Sequence, residues 1–166
     1  MKRGAVDGAG ASPHHPRMSF KAWTLVACSA ANLYLLGVMI VFAAVLYPQF
    51  GAVDKAAFPP LYAAFTARIG GPVVLFEFAA LLLTLPLYLA RPDPVPLGAV
   101  HALVVLGVAY FAITFGWHLP AHQALAAGDN GAAALTPLLR SQWARTGVQL
   151  GRAGILAWLG ARATAA

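Results

Sequence analysis

Ala22 to Tyr47 runs for 26 residues without a charged side chain. A helix over that stretch is ~39 Å long at about 1.5 Å per residue, more than the ~30 Å of a bilayer's hydrocarbon core. Two further runs, Pro72 to Ala90 and Leu97 to Trp117, are as apolar, the first broken only by Glu77. A chain of 166 residues that is 60% apolar and 10% charged lacks the polar surface to cover such rods in water, since soluble domains carry about 25% charged residues. Only Asp7, Asp54, Glu77, Asp93 and Asp129 are acidic. These features exclude a soluble enzyme, a disordered chain and a disulfide-rich secreted domain, and predict an integral membrane protein. Leu25-Val26-Ala27-Cys28 matches a lipoprotein-type cleavage pattern. However, too few apolar residues precede it for a signal core of about 7–15 residues, and the run continues past it.

The expected fold is an all-α, up-down, four-helix bundle in the membrane, with spans at about 22–47, 72–90, 97–118 and 140–162. The fourth is the least apolar, because Arg140, Arg145 and Arg152 interrupt it. Thr136-Pro137 reads as its N-cap and first helical residue. His118-Leu119-Pro120 should end or kink the third helix. Leu61, Tyr62, Phe65 and Ile69 recur at helical spacing opposite Thr66 and Arg68, which predicts a short interfacial helix between helices one and two, or an extension of the second. Residues 1–17 read as a disordered tail, leaving 18–166 as the membrane domain. The net charge of +6 is spread over helix ends instead of forming one patch, so its partner is the lipid headgroup and not nucleic acid. Six Lys and Arg residues on the N-terminal side against three or four on the other orient both termini to the cytoplasm. That margin rests on the tail and nearly vanishes if Met18 is the start.

An ionisable side chain inside a span is costly and turns to the bundle interior or a cavity. Glu77, the sole Glu, lies five residues into the second helix. In an up-down bundle its level coincides with Tyr47, His118 and His122, and with the start of helix four. There Arg145, Gln149 and Arg152 share one face. His101, 17 residues before His118, is about 25 Å away along a helix and belongs near the other end, by Asn32 or Cys28. Glu77, His118, His122, Arg145 and Arg152 are therefore the candidate catalytic residues. Three chemistries fit them. Glu77 pairs with Arg145 or Arg152; or Glu77, His118 and His122 hold a single transition metal; or Glu77 or a histidine moves a proton without a cofactor.

The stretches Trp117-His118-Leu119-Pro120-Ala121-His122-Gln123-Ala124-Leu125 and Gln142-Trp143-Ala144-Arg145-Thr146, with Arg152 and Tyr47-Pro48, resemble small bacterial four-helix membrane proteins of largely unknown function. They are also similar to the anthrone-oxygenase-like family in size, in number of spans and in a polar Trp/Arg segment opening the last helix. The resemblance implies a multi-pass protein of the bacterial inner membrane. It also implies an oxygenase-like reaction of a lipophilic small molecule with molecular oxygen, without a conventional cofactor. The alternative is a non-catalytic membrane component: a subunit, an assembly factor or a small transporter protomer that forms a homo-oligomer.

Overall fold

The computed structural model describes residues 19–93 and 95–165. The tail expected over residues 1–17 lies outside the described residues. All the regular structure is helical and forms four rods: α1, Phe20–Ala52; α2, Phe58–Ala90; α3, Leu97–Ala126; and α4, Ala132–Thr164. The first three are long and apolar enough to cross a membrane. Ser19 caps α1, its hydroxyl accepting from the Ala22 amide at 3.2 Å.

The rods outrun the expected boundaries, and prolines explain how. In α1 the chain passes Tyr47-Pro48 through a wide π turn, Phe42–Leu46, in which the Tyr47 amide reaches back to the Phe42 carbonyl. The same device carries α3 past Leu119-Pro120. The turn Thr114–His118 lets the Leu119 amide reach the Thr114 carbonyl, so Pro120 does not end the helix. A π turn absorbs one extra residue and re-aims the side chains that follow it, here Tyr47 and His118. Pro86 has a different effect: α2 breaks into tight turns at Leu83–Leu85 before resuming. Phe58–Leu82 is one continuous helix with Pro72 inside it, so the expected interfacial helix is the first part of α2. Helix four begins at Ala132, before Thr136-Pro137. Thr136 does not cap it and instead donates its hydroxyl to the Ala132 carbonyl at 2.7 Å.

Buried side chains form three layers. At one end Phe42, Tyr47, Phe50, Phe58, Tyr62, Leu125 and Leu138 cluster. In the middle are Leu35, Met39, Ala80 and Tyr110. At the other end are Leu25, Cys28, Leu87, Val100, Leu103, Leu156 and Leu159. The turn between α3 and α4 is pinned to the turn between α1 and α2, where Asn130 donates to the carbonyls of Phe50 (2.9 Å) and Val53 (2.7 Å). Gly128, at φ 97°, supplies the left-handed residue that this turn needs.

The amphipathicity of α4 is inverted. Ser141, Gln142, Arg145, Thr146, Gln149 and Arg152 are buried. The exposed positions from 141 to 161 are Trp143, Gly147, Leu150, Gly151, Gly154, Ala157, Trp158 and Ala161. No side chain among them is charged. Exposed Arg140 and Arg162 flank this window of 21 residues. Matching windows lie on α2 between Arg68 and Arg91, and on α3 between His101 and Gln123, where every exposed residue is likewise uncharged and apolar or aromatic.

Candidate functional site

The polar side chains that α4 turns inward form two separate layers. The first is built around Arg145. Its Nη2 binds Glu77 Oε1 of α2 in a buried ion pair, each side chain 3% exposed. The same nitrogen donates to Tyr110 Oη of α3 at 2.5 Å, and Nη1 donates to Gln142 Oε1 at 3.2 Å. The guanidinium also lies 4.7 Å from the Tyr110 ring centroid. Gln142 in turn donates to the Met39 carbonyl of α1 at 3.0 Å. The ion pair thus holds α2 and α4 together, with α3 and α1 joined through neutral groups.

Beside it, on the Tyr47 side, lies an imidazole pair. His118 and His122 stand one turn apart on α3 with their Nε2 atoms 3.1 Å apart. Ser141 donates its one proton to the Leu138 carbonyl at 2.9 Å, so at 2.8 Å His118 Nδ1 donates to Ser141 Oγ. That leaves His118 Nε2 as an acceptor facing His122 Nε2, while Tyr62 Oη meets His122 Nδ1 and also donates to the His122 carbonyl at 3.2 Å. Tyr62, His122, His118, Ser141 and the Leu138 carbonyl form one connected hydrogen-bonded chain. Tyr47 Oη closes it from α1, at 3.1 Å from His122 Nε2 and 3.5 Å from His118 Nε2.

A cavity of about 250 Å³ lies against both groups. Its polar wall holds Tyr47, Glu77, His118, His122 and Arg145, and its apolar wall includes Phe42, Phe65, Ile69 and Val73. Of the five residues expected to share a site, Glu77, His118, His122 and Arg145 do so.

Arg152 does not. It lies seven residues further along α4, about 10 Å at 1.5 Å per residue, in the second polar layer. There its Nη2 donates to the Ala80 carbonyl (3.0 Å) and Thr84 Oγ1 (2.9 Å), and Nη1 donates to Gln149 Oε1 (3.4 Å). Gln149 donates to the Asn32 carbonyl (2.8 Å), and Asn32 donates to the Cys28 carbonyl (2.8 Å). Arg152 is 1% exposed and has no carboxylate partner among the described residues. Sharing a helix face fixes azimuth but not depth.

The proposed ligand trio of Glu77, His118 and His122 also does not assemble. Among the described residues no three His, Cys, Asp or Glu side chains come together as a metal-holding group. Glu77 Oε1 is bound to Arg145, and the two imidazoles face each other. His101 is separate from the pair, exposed, with its ring 5.4 Å from that of Tyr88. Asn32 and Cys28, expected near His101, belong to the Arg152 layer.

Tyr62, Tyr110 and Ser141 are site residues that spacing did not single out. A tyrosine in mid-run such as Tyr110 carries one signal, a hydroxyl that needs a partner when buried. Ser141 carries none. The chain matches no protein-family model, and no curated protein or solved structure is significantly similar to it.

Proposed function

We propose that the chain is an integral membrane protein of four spans in up-down order. Its cavity would bind a lipophilic small molecule and move a proton on it, in an oxygenase-like reaction. Membrane insertion is supported by the uncharged exposed windows. The α4 window, 21 residues or about 31 Å of helix, matches the ~30 Å hydrocarbon core. Helix four would therefore span although it is the least apolar of the four rods, because its polar face is the buried one. The contacts among rod ends in the three buried layers support the up-down order. The Lys and Arg bias puts both termini in the cytoplasm.

The observation that carries the functional reading is the cavity wall, apolar on one side and lined by the imidazole pair and an arginine on the other. His122 is the group to take a proton from a bound carbon or hydroxyl acid, and Arg145 the group to stabilise the oxyanion left behind. For an anthrone, loss of that proton gives a carbanion that reacts with O₂. One oxygen atom is inserted at the ring carbon to give the quinone, and the other leaves as water with the two hydrogens. Oxygen uptake by protein in lipid nanodiscs supplied with anthrone, measured against protein-free discs, tests this. Uptake should exceed the blank, and His122→Ala should reduce the excess by about 10²–10⁴-fold, the usual worth of a general base. Wild-type uptake equal to the blank would overturn the reading.

A second reading has its own support. Every polar residue α4 buries makes at least one hydrogen bond, although the Nε atoms of Arg145 and Arg152 make none, and those bonds reach all three other rods. In a non-catalytic subunit, assembly factor or transporter protomer they would serve only to lock the bundle. The glycines on the outer face of α4 would then suit close packing by a second copy. Under this reading Glu77→Gln is strongly destabilising and no anthrone-dependent uptake is found.

A further inference from the structure

The cavity has an opening that its polar wall does not explain. Between α2 and α3 the gap is bridged at two levels. At one, Tyr62 bonds His122 across it; at the other, the rings of Phe78 and Phe111 pack with centroids 4.7 Å apart and planes tilted by 31°. The cavity lies between these bridges, backed by Met39 and Tyr47 of α1 and Arg145 of α4. Val74 and Leu119 line it and are also 46% and 45% exposed on the outer surface. Gly70, another lining residue, has open space where a Cβ would stand. The space between the bridges is thus a window through the side of the bundle. Val74 lies six residues inside Arg68, about 9 Å by helical rise, and Leu119 four residues inside Gln123, about 6 Å. The window therefore opens within the uncharged surface, below the level of its polar rims.

We propose that the cavity is loaded sideways from the bilayer, through the window between α2 and α3. Its ligand is a membrane-dissolved lipophile whose polar head reaches His118, His122 and Arg145 while its apolar remainder stays in the window and the lipid. The size of the cavity agrees. At about 250 Å³ it is at the small end of ligand pockets, which run ~300–1,000 Å³, so it holds a ring-sized head and not a whole long-chain molecule. This proposal rests on the reading of the chain as a membrane protein with a ligand site.

The test uses 4-hexylphenol carrying a diazirine in its alkyl chain, photolysed with the full-length protein in nanodiscs and mapped by mass spectrometry. Labelling should concentrate on the segments around Gly70, Val74 and Leu119, and excess 4-hexylphenol should compete it away. Gly70→Leu, with open space for its Cβ, fills the window and should cut labelling at least tenfold. Gly154→Leu, equally open but on the far face of α4, should leave it unchanged. Thermal unfolding of both variants verifies their folding, with Val74→Trp as the substitute plug if Gly70→Leu does not fold. Competable labelling that moves to the 53–57 turn, or that is insensitive to the plugs, overturns the window and leaves the site reading standing. No competable labelling of the wild type overturns the site reading and the window with it.

Discussion

Glu77→Gln isolates the charge in the central ion pair. Glutamine keeps a carbonyl where Glu77 Oε1 accepts from Arg145, and Arg145 retains Tyr110 Oη at 2.5 Å and Gln142 Oε1 at 3.2 Å. The number of hydrogen bonds is therefore conserved. What is lost is the only buried carboxylate among the described residues, leaving a guanidinium that is 3% exposed without a counter-charge. Breaking a buried pair from one side costs about 3–5 kcal/mol, and the conserved hydrogen bonds put Glu77→Gln near the lower end, ~3 kcal/mol. Removing both charges should recover most of that, because replacing a whole buried pair is often close to neutral. Glu77→Gln/Arg145→Met should thus lie within about 1–2 kcal/mol of wild type, so that the two single losses, about 3 and about 3–5 kcal/mol, couple by at least ~4 kcal/mol. Equilibrium unfolding against SDS mole fraction in mixed micelles measures all four corners of this cycle. A Glu77→Gln loss below about 1 kcal/mol, or a double variant equal to the sum of the singles, would refute the reasoning.

The two buried arginines should behave oppositely in the same assay. Arg145→Met strands Glu77 and should cost about 3–5 kcal/mol. Arg152→Met removes a cation with no carboxylate partner among the described residues and should be within about 1 kcal/mol of wild type, or more stable. Its acceptor at Ala80 is still served by Thr84 Oγ1 at 3.1 Å. Ser141→Ala removes the acceptor of His118 Nδ1–H and should cost about 1 kcal/mol, while ¹⁵N NMR of the imidazoles shows a changed His118 tautomer; an unchanged spectrum would contradict the bond from His118 Nδ1–H to Ser141. Leu150→Lys on the outer face of α4 should lower membrane insertion by about 2.5–3.5 kcal/mol in a translocon assay, whereas no effect would argue that this face meets water. The exposed pair Lys21–Asp93, 3.2 Å apart, should be worth at most about 1 kcal/mol, so Lys21→Ala should hardly shift the melting temperature.

The three apolar rods were readable because runs of this length with at most one charge have one economical home. The meeting of Glu77 with Arg145 was readable for a related reason, since a carboxylate placed there needs a cation at its own depth. The sequence was least informative where neutral groups do the work. Ser141 and Tyr62 carry no burial cost large enough to show as a pattern, yet they orient both imidazoles. Arg152 was grouped with Arg145 because the two share a helix face, although helical rise alone already puts it ~10 Å deeper. Helix boundaries were drawn short at Pro48 and Pro120 because proline normally ends an α-helix; a π turn just upstream of each lets the rod continue and sets Tyr47 against His118.

The central claim is that a polar site lies inside a four-span bundle whose outer surface faces lipid, with α4 as the fourth span. Single cysteines along the outer face of α4, in a Cys28→Ser background, test it most directly. With a membrane-impermeant maleimide on intact vesicles, Arg140→Cys and Arg162→Cys should label from opposite sides of the membrane. Gly147→Cys, Leu150→Cys, Gly154→Cys and Trp158→Cys should resist labelling from both sides. Labelling of those four positions from the water, or of both flanking positions from the same side, would contradict the account.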